Sequence, residues 1–85
     1  MEKLAINRDK EGRCDKYIWP GGYPVYYISA YGGIFCPDCV DAEKELIDAA
    51  DEHDRQWLVV AQDINYEDIL YCDHCYNRIE AAYVD

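Results

Sequence analysis

The chain has 85 residues, with 18 acidic and 8 basic side chains and a formal net charge of −10 at pH 7. This length allows one domain, whose apolar core is marginal, so a staple such as a bound metal is expected. No run approaches the roughly 20 apolar residues of a membrane span. The acidic excess argues against direct nucleic-acid binding, which needs a surface rich in Lys and Arg.

Residues 1–22 are predicted to form an N-terminal arm or loosely attached loop, with a short strand at 4–6, and residues 23–85 a single zinc-binding domain. The first residues lack the basic start and apolar segment of a signal peptide. Since paired thiols suit a reducing compartment, a cytoplasmic location is expected. Cys14 is interpreted as a free thiol, with a metal-ligand or reactive role as the alternative.

A β-hairpin is predicted where the β-branched and aromatic run 25–31 and the run 34–36 flank Gly32 and Gly33. A primed two-residue turn is expected there, and it requires positive φ at both glycines.

Residues 38 to about 55 are predicted to form one main helix, with Asp38 or Asp41 at its start. At about 100° per residue, one arc of this helix collects apolar side chains and is expected to face the core. Val40 and Ile47 lie on another edge and are assigned to a second layer or to a partner. The arc contains Cys39, Ala42, Leu46, Ala49, Ala50 and His53.

Two further short strands are predicted, a central one at 57–61 and another at 69–71, with a loop at 63–68 between them. A short C-terminal helix follows, with Tyr76, Ile79 and Tyr83 on one face. The order of elements indicates a small zinc-stapled α+β domain. Its site is expected to be treble-clef-like, with the zinc ribbon as the alternative.

Two Cys-x-x-Cys pairs predict one structural zinc per chain, held by Cys36, Cys39, Cys72 and Cys75. Each pair presents two thiolates on one side of a tight turn, so two pairs complete a tetrahedral site. His74 is an alternative ligand. Four thiolates close the coordination sphere and leave no position for substrate, so no enzymatic activity is expected.

The first pair also resembles the dithiol of glutaredoxins, because a proline follows Cys36 and a helix follows Cys39. A helix N-terminus lowers a thiol pKa, which makes a redox role chemically conceivable. Such folds also place a cis-proline opposite the dithiol, and this sequence has no proline after Pro37. A small redox or metal-handling protein is therefore the second alternative.

Five acidic residues recur at spacings of three and four along the predicted helix, and we name them the acidic stripe. A solvated face is the ordinary meaning of such a row. However, like charges four residues apart destabilise a helix, and a face that serves only solubility normally mixes signs. The functional interpretation is a surface that binds another protein, and the negative charge favours a partner with a basic surface. The acidic stripe consists of Asp38, Asp41, Glu45, Asp48 and Glu52.

A Tyr23-Pro-Val strand precedes the first cysteine pair, and a Trp57-x-Val-Val strand and an Asp63-Ile-Asn loop precede the second. In these features the sequence resembles small, mostly uncharacterised zinc-binding proteins encoded by phages and prophages. The resemblance covers roughly residues 23–84. It departs at Tyr76, where a glycine often follows the last cysteine. It implies a viral protein acting in a bacterial cytoplasm.

Together, these features predict a zinc-stabilised protein-binding module with an acidic, Tyr-rich surface, which modulates or inhibits a host factor. The alternative is a nucleic-acid mimic that occupies the basic groove of a DNA- or RNA-handling or defence protein.

Overall fold

The fold is organised around one strand, β2 (Tyr23–Ser29), with which the other three strands all pair in antiparallel fashion. A computed structural model describes residues 2–83. The other strands are β1 (Tyr17–Ile18), β3 (Ile34–Phe35) and β4 (Val59–Ile64). Because β2 is rich in aromatic and β-branched side chains, an extended conformation suits it. The α+β class predicted from the sequence is confirmed.

The predicted hairpin is present, but its turn is not a primed two-residue turn. Ile28 pairs with Ile34, so the connection is longer than two residues. The Ser29 N–H donates to the Gly33 carbonyl, and the Gly32 N–H donates to the Ser29 carbonyl. Of the two glycines only Gly32 has a positive φ, at 98°. The prediction that both glycines need this conformation was therefore wrong.

The predicted main helix is two short helices, α1 (Pro37–Ala42) and α2 (Lys44–Ala49). The break lies at Glu43, where φ is −106° and ψ is 30°. The helical part also ends at Ala49, well before residue 55. Four acids from Asp48 to Asp54 crowd the negative end of the helix dipole, which disfavours continuation.

The core-facing side of these helices also differs from the prediction. Val40 and Ile47 are 0% exposed, whereas Leu46 is 45% exposed. Seven residues make almost two helical turns, so Val40 and Ile47 lie on one side. They bury far more apolar area than the alanines of the predicted arc, which explains why their side faces the sheet. Of the predicted arc only Cys39 and Ala50 are buried; Ala42, Leu46, Ala49 and His53 are exposed.

The C-terminal third contains less regular structure than predicted. The central strand is β4, shifted to Val59–Ile64, and Tyr71 makes only an isolated bridge with Arg78. Residues 76–83 contain no helix. The chain folds back instead, because the Ile79 N–H donates to the Leu70 carbonyl. The predicted strand at 69–71 and the predicted C-terminal helix were therefore wrong.

The N-terminal segment packs on the same core as the rest of the chain. Cys14 is buried, and Leu4 and Ile6 contact the core cluster. The predicted strand at 4–6 is absent, although the Leu4 N–H donates to the Val59 carbonyl. The domain boundary at residue 23 stays a prediction. Within residues 2–83 there is no helix with the length and apolar character needed to cross a membrane.

Candidate metal centre

The first cysteine pair lies where β3 ends and α1 begins. Cys36 is the N-cap residue of α1, with an extended backbone, and Pro37 occupies the start of the helix. Proline suits this position because its fixed φ is helical and its missing N–H has no helical partner to lose. The Cys36 carbonyl accepts hydrogen bonds from the N–H groups of Cys39 and Val40, both at 3.1 Å. This tight turn places both thiols on one side.

The second pair lies at the tip of the fold-back formed by residues 70–79. The Cys72 N–H donates to the Asn77 carbonyl at 3.0 Å, and the Tyr76 N–H donates to the Cys72 carbonyl at 2.9 Å. Tyr76 has a φ of 63°, in the left-handed region that favours glycine.

The two pairs meet in one cluster. The sulfur atoms of Cys36, Cys39, Cys72 and Cys75 all lie within 4.8 Å of one another. The Sγ atoms of Cys36 and Cys75 are 3.8 Å apart. A tetrahedron with Zn–S bonds near 2.3 Å has an edge of about 3.8 Å, so this spacing suits zinc. Cys39 and Cys72 are buried, while Cys36 and Cys75 are half-buried. The cluster is compatible with a single structural zinc site.

Asp73 joins the two pairs, and it was not predicted as a site residue. Its backbone N–H donates to the Ile34 carbonyl at 2.9 Å, and its Oδ2 accepts the Ile34 N–H at 2.8 Å. Ile34 is in β3, two residues before Cys36. This reciprocal pair fixes the second knuckle against the strand that delivers the first. The only signal in the sequence is a short acidic residue between two cysteines, and aspartate is common in tight turns of every kind.

Backbone N–H groups surround the Cys72 sulfur. Cys36 N and His74 N each lie 3.4 Å from it. Burial by itself would raise the pKa of the Cys72 thiol, but donated hydrogen bonds from Cys75, Cys36 and His74 lower it to about 7. Burial raises the pKa of Cys36 to about 11 and also raises that of Cys39. A dication would allow all four to ionise, as metal–thiolate binding requires.

The remaining candidate ligands lie outside this cluster. Cys14 is buried, and its thiol donates to the Pro37 carbonyl at 3.4 Å. Burial and the neighbouring Asp41 raise the pKa of Cys14 to about 12. The His74 ring packs edge-on against Trp57, with ring centroids 5.7 Å apart. His53, which the predicted core-facing arc included, is exposed next to Asp51.

The acidic stripe is not a continuous row on one helix. Asp38 and Asp41 are in α1, Glu45 and Asp48 are in α2, and Glu52 lies beyond both helices. Three of its carboxylates also contact the chain's own N-terminal segment.

The contacts begin at Lys16, whose Nζ lies 2.7 Å from Asp38. Arg8 lies 3.0 Å from Asp48 and 3.8 Å from Asp41. Asp41 also accepts the Cys14 N–H at 2.8 Å. Glu45 and Glu52 are exposed. Whether the stripe binds a partner stays a prediction.

Four thiols arranged in this way can hold a metal whose coordination is complete, which is the chemistry of a structural site. The two knuckles come from segments more than thirty residues apart, so a bound metal would join them. Comparison with protein-family models, with curated proteins and with solved structures finds no match for this chain.

Proposed function

We propose that this protein is a non-enzymatic module that binds another protein, with one structural zinc per chain held by Cys36, Cys39, Cys72 and Cys75. The observation that carries the proposal is the cluster of four sulfur atoms within 4.8 Å of one another. Four thiolates occupy all the positions of tetrahedral zinc, so the metal organises the fold and offers no position to a substrate.

The surface supports the binding part of the proposal. Seven of the nine large hydrophobic side chains that are exposed in the described residues are aromatic, and six of these are tyrosines. Tyrosine combines a large apolar ring with a polar hydroxyl, and it is enriched at protein interfaces for that reason. With a net charge of −10, complementarity favours a partner with a basic surface. Following the resemblance to phage-encoded proteins, the partner is a bacterial host factor that this protein modulates or inhibits.

No specific observation favours the nucleic-acid mimic. Such a mimic needs a regular row of free carboxylates. Here the row is interrupted at Glu43, and Arg8 and Lys16 already contact three of its members.

Affinity capture from bacterial lysate tests the proposed function. The zinc-loaded protein is expected to retain a defined host protein, and retention should weaken as salt rises because exposed charges are screened over about 8–10 Å. Cys72→Ser, which removes one ligand, should abolish capture, whereas Cys14→Ser should retain it. Equal capture by Cys72→Ser would contradict a role for the zinc-organised fold. Rapid alkylation of Cys36 in the zinc-loaded protein, with disulfide reductase activity, would favour the redox alternative instead.

A further inference from the structure

The binding surface of the proposed module need not be the acidic stripe. Basic side chains of the same protein already contact three of the five carboxylates in that stripe. The Arg8 side chain is 15% exposed and lies between Asp41 and Asp48. Lys3 donates to the Asp48 and Ala50 carbonyls at the end of α2. A partner would have to displace the Arg8 contacts before it could pair with Asp41 or Asp48.

A second acidic area lies near the start of β2, where Tyr23 is the first residue of the strand, and it combines carboxylates with packed tyrosine rings. The Tyr23 and Tyr66 rings meet edge to face, with centroids 5.5 Å apart. The Tyr17 hydroxyl donates to the Glu80 carboxylate at 2.8 Å. We name this area the tyrosine–carboxylate surface. Its members are Tyr17, Tyr23, Tyr66, Asp68, Glu80 and Tyr83.

A buried side chain holds this surface together. Asn65 is 1% exposed. Its amide N–H groups donate to the carbonyls of Asp68 and Glu80, and its Oδ1 accepts the Asp68 N–H. The Tyr83 N–H donates to the Tyr66 carbonyl at 2.7 Å. These bonds fix two chain segments, 65–68 and 80–83, relative to each other. The surface is therefore largely formed before any partner binds, which reduces the entropic cost of binding.

Its rings and acids remain accessible and lack a cationic partner within the described chain. Tyr66 is 50% exposed and Tyr83 61% exposed. Across residues 2–83, no Lys or Arg lies within 4.0 Å of the Asp68 or Glu80 carboxylates. The groove that Tyr17 and Glu80 line also contains Arg78 and Lys16, and Lys16 is paired with Asp38.

We propose that the tyrosine–carboxylate surface binds an arginine-bearing segment of a protein partner. The proposal rests on the protein-binding function above and names its surface and its partner chemistry. A guanidinium stacks on a tyrosine ring and donates two hydrogen bonds to one carboxylate, so it uses both features of the surface at once. An ammonium group uses the charge but lacks the planar fork.

Titration of the zinc-loaded full chain with an octa-arginine and an octa-lysine peptide, at physiological ionic strength, tests this proposal. The arginine peptide is expected to bind about fivefold more tightly, because only it gains the stacking and paired hydrogen bonds. Tyr66→Leu combined with Glu80→Gln should weaken arginine-peptide binding about tenfold. Zinc content and near-ultraviolet circular dichroism of each variant show that the fold is intact.

A matched control removes one exposed ring and one exposed carboxylate outside both acidic surfaces, through Tyr31→Leu combined with Glu2→Gln. This control should change affinity by less than about twofold, since those residues lie outside the surface. Equal affinity for the two peptides, absence of binding, or an equal loss in the control, would overturn the assignment. In a zinc-loaded, folded protein these results refute this surface only. A protein without zinc refutes the proposed function itself.

Discussion

Asp73 matters to the candidate metal centre because its carboxylate and its backbone N–H both bond to Ile34. It sets the position of the second knuckle although it is not one of the four ligands. Residues that orient ligands typically change metal affinity by 10- to 100-fold when removed.

Asp73→Ala is therefore expected to weaken zinc binding by about tenfold, because the second knuckle loses its side-chain bond to β3 and keeps only the backbone one. Competition with a chromophoric chelator measures the change. Glu67→Ala, which removes an exposed acid outside the centre, should leave the affinity nearly unchanged. An affinity of the Asp73 variant equal to that of the natural chain would show that the knuckle is positioned by other contacts.

Tyr76 destabilises the second knuckle, whereas Asp73 holds it in place, because a φ of 63° strains the backbone at Tyr76. The left-handed conformation costs a non-glycine residue roughly 1–2 kcal/mol, and a glycine at this position would relieve that strain. Glycine also loses more conformational entropy on folding, which offsets about 0.5–1 kcal/mol of the relief. The Tyr76 ring is 78% exposed and contributes little packing. Tyr76→Gly should therefore raise the free energy of unfolding by up to about 1 kcal/mol, as measured by urea denaturation of the zinc-loaded protein. Tyr76→Ala keeps the strain and should give no gain.

At the scale of the elements, the two short helices contact the core through Val40 and Ile47. Ile47→Ala should lower the free energy of unfolding by about 2–4 kcal/mol, because it leaves a cavity at a fully buried position. Leu46→Ala is the matched control one residue away, and its loss should stay below about 1 kcal/mol because Leu46 is 45% exposed. If urea denaturation shows a larger loss for Leu46→Ala than for Ile47→Ala, the arc predicted from the helical wheel faces the core after all.

The N-terminal segment is attached to these helices mainly by charge. Arg8→Gln should lower the free energy of unfolding by about 1 kcal/mol, a modest loss because Asp48 is half exposed and its pair with Arg8 is screened by water. Arg13→Gln is the control, since Arg13 pairs only with the nearby, exposed Glu11. The difference between the two variants should shrink at high salt. Equal losses would mean that the segment is held by Leu4, Ile6 and Cys14 instead.

The features that the sequence predicts correctly are those set by residues close together in the chain. Features that depend on contacts between distant residues were missed. The Cys-x-x-Cys spacing and the hairpin follow from neighbouring residues, and both were predicted. The break at Glu43 was not predicted, because it depends on which side chains pack against the sheet in the folded protein. Arg8 contacts Asp48 across 40 residues, and no local pattern indicates such a pair. The prediction of a free acidic stripe therefore left out the N-terminal segment that contacts it.

For the whole molecule, the candidate metal centre brings the junction between β3 and α1 together with the fold-back at residues 70–79. Cys39 and Cys72 belong to the same buried cluster as Phe35, Ile47 and Ile79. Trp57 stacks on Phe35, with centroids 5.5 Å apart, and it also meets the His74 ring, which lies between the second pair of cysteines. Loss of the metal is therefore expected to disturb the core as well as the knuckles, and the fluorescence of Trp57 should report it.

The most direct test is the metal content of freshly purified, tag-free protein. One zinc per chain is expected for the natural sequence and for Cys14→Ser, and none for Cys72→Ser. Since binding free energies of structural zinc are about 10–16 kcal/mol, chelation should remove most tertiary structure, and Cys72→Ser should resemble the chelated protein. A metal-free chain that still unfolds in one cooperative transition would contradict the proposed role of zinc.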